Sequence, residues 1–287
     1  MEKRIEDVVL LHSGRGMDIL REYMEADYCR RAVETIMEQK TGNVLLTTGF
    51  YVAGYAETDG PLGTVALGRA LKELGYQPVI VTDSYCKGFF EIRDFQVEYV
   101  SADAETAEYD ELIRKYQPVA MISIERCGRN IRNDYANMRG ESIRGYTART
   151  DILFEKASEY GIPTIGVGDG GNEIGMGNLK DVINEKLSLV PCDVGVDRLV
   201  IATVSNWGAY GMTAYIQKKT GRKVLPSFEE IRDYLKEIVK LGSVDGVTRK
   251  QDLSVDGFSL ETEREIIDDL HELVDGYVVN IRRPAPL

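Results

Sequence analysis

Apolar positions recur at intervals of three and four over residues 2–11 and again over 18–39, the period of a helix with one buried stripe. Ser13, Gly14, Arg15 and Gly16 separate the two stretches. The pattern predicts two amphipathic N-terminal helices that pack outside a sheet or in a homodimer contact. At residue 43 the pattern changes. A short apolar, β-branched run over 43–48 leads into a glycine-containing loop and reads as a strand buried on both faces. Further strands are expected at 78–82, 97–100, 119–124, 164–168 and 198–204. Helices are expected between them, at 62–74 (closed by Gly75), 104–115 and 148–160 (stopped by Gly161), with another before the last strand. This alternation predicts an α/β fold: a doubly wound, mainly parallel sheet with helices on both faces and extra N-terminal helices.

Beyond the last strand, 210–219 and 227–240 read as helices, 242–257 as a loop and 259–274 as one more amphipathic helix. Residues 282–287 read as a tail or a strap onto a neighbouring subunit. The expected organisation is one domain, with a helical extension over 1–42, a core over 43–257, and a C-terminal helix and tail over 258–287.

Composition narrows the functional classes. With 287 residues, 43% of them hydrophobic, the chain can bury a sizeable core. Its 35 Lys and Arg against 47 Asp and Glu give a charge of −12, which disfavours nucleic acid and anionic lipid as partners. Cys29, Cys86, Cys127 and Cys192 form no CxxC pair, and no apolar run approaches the roughly 20 residues of a membrane span. The N-terminus lacks the layout of a signal peptide, so a cytoplasmic enzyme is expected.

In open parallel sheets ligands bind beyond the carboxyl ends of the strands, and the chemically unusual loops here follow strands. The first carries Glu57, Thr58, Asp59, Gly60 and Pro61, an N-cap and helix start whose free N–H groups suit a carboxylate or phosphate. The second carries Glu125, Arg126, Cys127, Arg129 and Asn130. Its arginines are either a carboxylate clamp or structural ion pairs. The third, 168–178, holds five glycines with Asp169, Asn172 and Glu173, and its two acids are candidates for proton transfer or metal binding. The fourth carries Asn206, Trp207 and Tyr210; Trp207 reads as core and Asn206 as either a ligand contact or a helix cap. His12 and His271 read as surface or packing residues. The acidic loop from Asp245 to Gly257 is either a lid or a pair of exposed turns.

Taken together, Thr-Thr-Gly-Phe with Glu-Thr-Asp-Gly-Pro, Ile-Glu-Arg-Cys-Gly-Arg-Asn, Gly-Asp-Gly-Gly-Asn-Glu-Ile-Gly-Met-Gly and Val-Ser-Asn-Trp-Gly-Ala-Tyr-Gly resemble the D-glutamate cyclase family in order and spacing. The resemblance implies a carbon–oxygen lyase of D-amino acid metabolism that condenses D-glutamate to 5-oxo-D-proline and water without ATP. The roles such a reaction needs can be distributed over the four loops. Asp169, Glu173 and Asn172 would be catalytic; Arg126, Arg129, Asn130, Asp59, Gly60, Asn206 and Tyr210 would bind the amino-acid substrate. No organic cofactor is implied. A divalent metal, Mn²⁺ or Mg²⁺, would fall to Glu57, Asp59, Asp169 and Glu173. Two other readings stay open: a Mg²⁺-dependent phosphoryl-transfer or nucleotide-binding enzyme, and a non-catalytic protein that binds acidic metabolites.

Overall fold

Short runs such as Val44-Leu45-Leu46 and Met121-Ile122, wholly buried and flanked by turn residues, have no polar face to show to water, so they form interior strands. The computed structural model describes residues 3–275. Three short helices, α1 (Ile5–Val9), α2 (Met17–Arg21) and α3 (Tyr28–Met37), precede strand β1 (Asn43–Thr47). A small hairpin, β2 (Tyr51–Val52) and β3 (Tyr55–Ala56), leads to α4 (Pro61–Glu73). The chain continues through β4 (Gln77–Thr82), β5 (Gln96–Tyr99), α5 (Thr106–Tyr116), β6 (Ala120–Ile124), α6 (Asp151–Ala157), β7 (Thr164–Gly168), α7 (Lys180–Lys186) and β8 (Arg198–Ile201). It ends in α8 (Ser205–Thr220), α9 (Phe228–Lys240) and α10 (Leu260–Asp275).

The six long strands form one parallel sheet in the order β5-β4-β1-β6-β7-β8. The expected doubly wound α/β fold is therefore present, and the strand order reverses between β1 and β6. Right-handed crossovers on either side of that reversal put α4 on one face and α5 and α6 on the other. Helices α4 and α8 pack against each other, and α5 packs against α6. At the carboxyl ends of β1 and β6 the two outgoing connections diverge and leave a crevice, the position at which such sheets bind ligands.

The N-terminal helices pack on α8 and the β8 edge, where the Tyr28 hydroxyl donates to the Ile201 carbonyl at 2.8 Å. The single helix expected over 18–39 is two, because the chain turns between them and Asp27 adopts a left-handed backbone (φ 56°). The β2–β3 hairpin went unread in the sequence. Ala53 and Gly54 both take positive φ, as a two-residue hairpin turn requires. The expected tail or strap at 282–287 lies outside the described residues.

Helix α8 starts at Ser205, five residues before its expected start, because it is capped from a distant loop. The Asp59 carboxylate accepts the Ser205 and Asn206 N–H groups at 2.9 and 2.8 Å. In return the Asn206 side-chain oxygen accepts the N–H groups of Gly60 and Gly63 at the start of α4, at 2.9 and 2.7 Å, and its amide donates to Thr58 O. Gly63 lets the two helices approach this closely: a Cβ there would sit 2.9 Å from Asn206 Cα and 2.8 Å from Ala209 Cβ. Asn206→Leu leaves the buried Gly63 N–H and the Thr58 carbonyl without their side-chain partner, while the Gly60 N–H keeps Asp59. It is expected to lower unfolding free energy by about 2–4 kcal/mol in urea titration; a loss below about 0.5 kcal/mol would show that the cap is dispensable.

Candidate functional site

The crevice at the strand reversal holds a cavity of about 340 Å³, large enough for a small metabolite. Phe50, Tyr51 and Val52 from the β2–β3 hairpin line one side, and Met138 and Ile143 from the long β6–α6 connection line another. Gly246, Val247 and Arg249 form a third wall. That wall is held by buried Asp245, which accepts the N–H groups of Val247, Thr248 and Gly257 and the Ser254 hydroxyl, at 2.7–2.9 Å. Arg249 reaches Glu141 across the cavity at 3.6 Å.

Glu57, Glu125, Asp256 and Asn172 line the cavity, and Asp59, Asp169 and Glu173 sit close by in the protein. Five of these acids are buried outright, and the side chain of the sixth, Asp256, is only 5% exposed. Ligand oxygens of Asp59, Asp169 and Asp256 lie within 4.8 Å of one another, as do those of Glu125, Asp169 and Glu173, so Asp169 belongs to both sets. The cation among them is Arg15, which meets Asp169 at 2.9 Å and Asp256 at 2.5 Å. Asp169 Oδ2 is buried and receives no hydrogen bond, and the same is true of Asn172 Oδ1.

Loss of water around these groups favours their neutral forms, and their mutual repulsion adds to the effect. Burial, followed by Asp169 and Glu173, holds the Glu125 carboxyl well above the usual range; burial, followed by Asp256 and Asp59, does the same for Glu57. Asp256 is raised by burial and then by Asp169. Asp169 is raised by burial against the pull of Arg15. Asp59 is pushed up to about 8 by burial and Asp256, although three backbone N–H groups oppose the shift. Glu173 is raised by burial and drawn back by the Gly171 N–H, which it accepts at 2.7 Å. Glu125 also has a strained left-handed backbone (φ 45°), a costly conformation for a residue with a side chain, and its Oε2 accepts the Ser205 hydroxyl at 2.6 Å.

A family model described as D-glutamate cyclase-like, C-terminal, matches residues 5–271. The chain belongs to this family. Human mitochondrial D-glutamate cyclase is 29% identical to it over 286 aligned positions, covering 82% of this chain and 46% of the human protein. The chain thus spans about half the length of that relative. Among solved structures, the UDP-glucose 4-epimerase of Brucella ovis with NAD is 19% identical, covering 44% of this chain and 35% of that one, with a TM-score of 0.29. WbmH of Bordetella bronchiseptica with NAD⁺ is 14% identical, covering 63% and 54%, with a TM-score of 0.32. At such scores neither bears on fold or ligand.

For this cyclase-like chain, the structure brings some of the expected site residues together and disperses others. Glu57, Asp59, Asp169, Asn172 and Glu173 converge. The glycines of 168–178 make room for Glu173 to fold back: a Cβ on Gly168 or Gly170 would fall 2.9 or 2.7 Å from its carboxylate oxygens. Arg126, expected as a clamp, is wholly buried. It donates to Asp83 at 2.7 Å, to Ala148 O and to backbone carbonyls of Thr48 and Gly49, so it ties together the connections that follow β1, β4 and β6. Arg129 pairs with Glu155 and Asp193 and does not line the cavity. Asn130 accepts the N–H groups of Arg132 and Asp134 and shapes its own turn. The Gly60 N–H is engaged by Asp59 and Asn206 within the helix cross-cap. Tyr210 and Trp207 both donate to buried Glu263 on α10.

Sequence reasoning missed Arg15, Glu125 and Asp256 as members of the site. Glu125 had a readable signal, an acid at the end of a strand that is apolar except for Ser123, beside the point where the strand order reverses. Arg15 lay in what read as a linker.

The raised carboxyls have a consequence for stability. A group whose folded-state pKa lies above its unfolded one stabilises the fold fully below the unfolded value, and that contribution is lost as pH rises through the folded value. With EDTA present, the melting temperature is expected to fall between about pH 4, the ordinary carboxyl range, and pH 8, where Asp59 titrates. A melting temperature that rises or stays level across this window would show that the cluster is already neutralised by other means.

Proposed function

We propose that this chain is a lyase that closes D-glutamate to 5-oxo-D-proline with loss of water, and that a divalent cation, Mn²⁺ or Mg²⁺, completes its site. The observation that carries this reading is a group of buried carboxyls in unequal environments beside an amino-acid-sized cavity, in a chain of the D-glutamate cyclase-like family. In the reaction the α-nitrogen bonds to the γ-carboxyl carbon while one γ-oxygen departs. The two protons lost by the ammonium leave with that oxygen as water.

Glu125 is suited to the proton transfer, because it lines the cavity and burial, followed by Asp169 and Glu173, raises its pKa and so favours the proton-carrying acid. Asn172 offers an unpartnered carbonyl oxygen that can accept from the substrate ammonium. The apolar wall of Phe50, Tyr51, Val52, Met138 and Ile143 favours a curled substrate chain and excludes bulk water, so proximity supplies part of the rate. Asp59, Asp169 and Asp256, or Glu125, Asp169 and Glu173, would hold the cation. These all-oxygen sets suit hard ions, and Asp169 Oδ2 is free to accept one. When bound, the cation would withdraw charge from the γ-carboxyl group. A nucleotide reading is less well supported, since the N–H groups at the start of α4 that a phosphate would take are engaged by Asn206.

Purified protein incubated with D-glutamate, L-glutamate or 5-oxo-D-proline, each with EDTA, Mn²⁺ or Mg²⁺, is expected to interconvert only the D-pair and only with metal, as followed by chiral chromatography. Glu125→Gln and Asp169→Asn should lower the rate by about 10²–10⁴-fold, and Arg129→Ala by less than about twofold, in line with its surface ion pairs. Binding without conversion under every condition would favour a metabolite-binding protein instead.

A further inference from the structure

We infer that Arg15 is a displaceable internal cation: it holds Asp169 and Asp256 when no metal is bound, leaves them when a divalent ion arrives, and then receives the carboxylate of the substrate. This inference rests on the metal site and the acidic substrate proposed above. The two carboxylates that Arg15 pairs with are also two of the three in the Asp59, Asp169 and Asp256 set, so a guanidinium and a divalent ion would compete for the same oxygens. Both cations cannot sit there without strong mutual repulsion in a site with little water.

The segment that carries Arg15 is open on one side and anchored on the other: a Cβ added at Gly14 would meet nothing within 4 Å, whereas one at Gly16 would collide with the Leu187 side chain, and His12 and Gly16 have positive φ on either side. The Arg15 side chain is itself 27% exposed and lines the cavity beside Glu57, Glu125 and Asn172, so a short swing brings its planar fork into the volume open to substrate. The first three helices thereby take part in the site. Their connecting loop supplies the charge that balances the acids in the resting state and the charge that recognises an acidic ligand in the loaded one.

Hydrogen exchange of the full chain, with and without Mn²⁺, tests this directly and requires no turnover. Mn²⁺ is expected to speed exchange across residues 12–18 while slowing it in the β7–α7 loop, and D-glutamate added to the Mn²⁺ form is expected to slow 12–18 again. Arg15→Gln should bind Mn²⁺ at least about tenfold more tightly, as counted by the electron paramagnetic resonance of free Mn²⁺, because a competing positive charge is gone; it should also lose the D-glutamate response. If Mn²⁺ does not bind, or if it slows or leaves unchanged the exchange of 12–18, the inference is overturned. Mn²⁺ binding by Arg15→Gln that is equal to or weaker than that of the parent also overturns it. Should that variant fail to fold, the exchange of the parent protein alone decides. Release of Arg15 by Mn²⁺ without any D-glutamate conversion would retain the exchange of cations and remove the cyclase reading.

Discussion

Two helix starts that would each leave backbone N–H groups unsatisfied instead satisfy one another. Asp59 sits before α4 and caps α8, while Asn206 sits in α8 and caps α4. The arrangement fixes the angle and separation of two helices on one face of the sheet, and it does so at the carboxyl ends of β1 and β7. Ser205, held in the first turn of α8, can then donate to Glu125 at the end of β6. The carboxyl cluster therefore inherits its geometry from a backbone constraint. Asp59 belongs to both, as the cap of α8 and as a member of the acidic set.

A second consequence is electrostatic. Six buried carboxyl groups facing one guanidinium cannot all be ionised in a medium that screens poorly. The fold must keep some of them protonated or admit positive charge. Either solution is chemically useful: protonated carboxyls are acids available at neutral pH, and an admitted cation is an electrophile. Arg126 and Arg129 do not relieve the cluster, because Arg126 is held by Asp83 and Arg129 by Glu155 and Asp193.

The alternation of strand and helix was legible because the inner strands β1, β4, β6 and β7 are mostly apolar on both faces and helices such as α3 and α5 carry one buried stripe. The loops that meet at the reversal were legible for the same reason, since they follow strands. Which charges inside those loops face one another was not. Arg126 and Arg129 look alike in sequence, yet one is buried under Asp83 from a loop that carried no evident signal, and the other is half-buried between Glu155 and Asp193. Asn206 read as a contact or a cap of its own helix, whereas its partner is the start of a helix more than 140 residues earlier. Long-range capping leaves no periodicity to detect. Arg15 was hidden by its setting between two glycines in an apparent linker.

Helix α8 has almost no polar side: from Ser205 to Ala214 every residue is buried, and Trp207 and Tyr210 direct their polar atoms to Glu263 on α10. On a chain emerging from a ribosome, the whole sheet is made before that partner exists. Until Glu263 emerges, α8 carries an indole N–H and a phenol that lack their native acceptor, on a surface that favours self-association. Helix α10 thus supplies the acceptor that completes the burial of α8. Premature termination before it would be expected to yield insoluble material even though every strand and every cavity-lining residue had been synthesised.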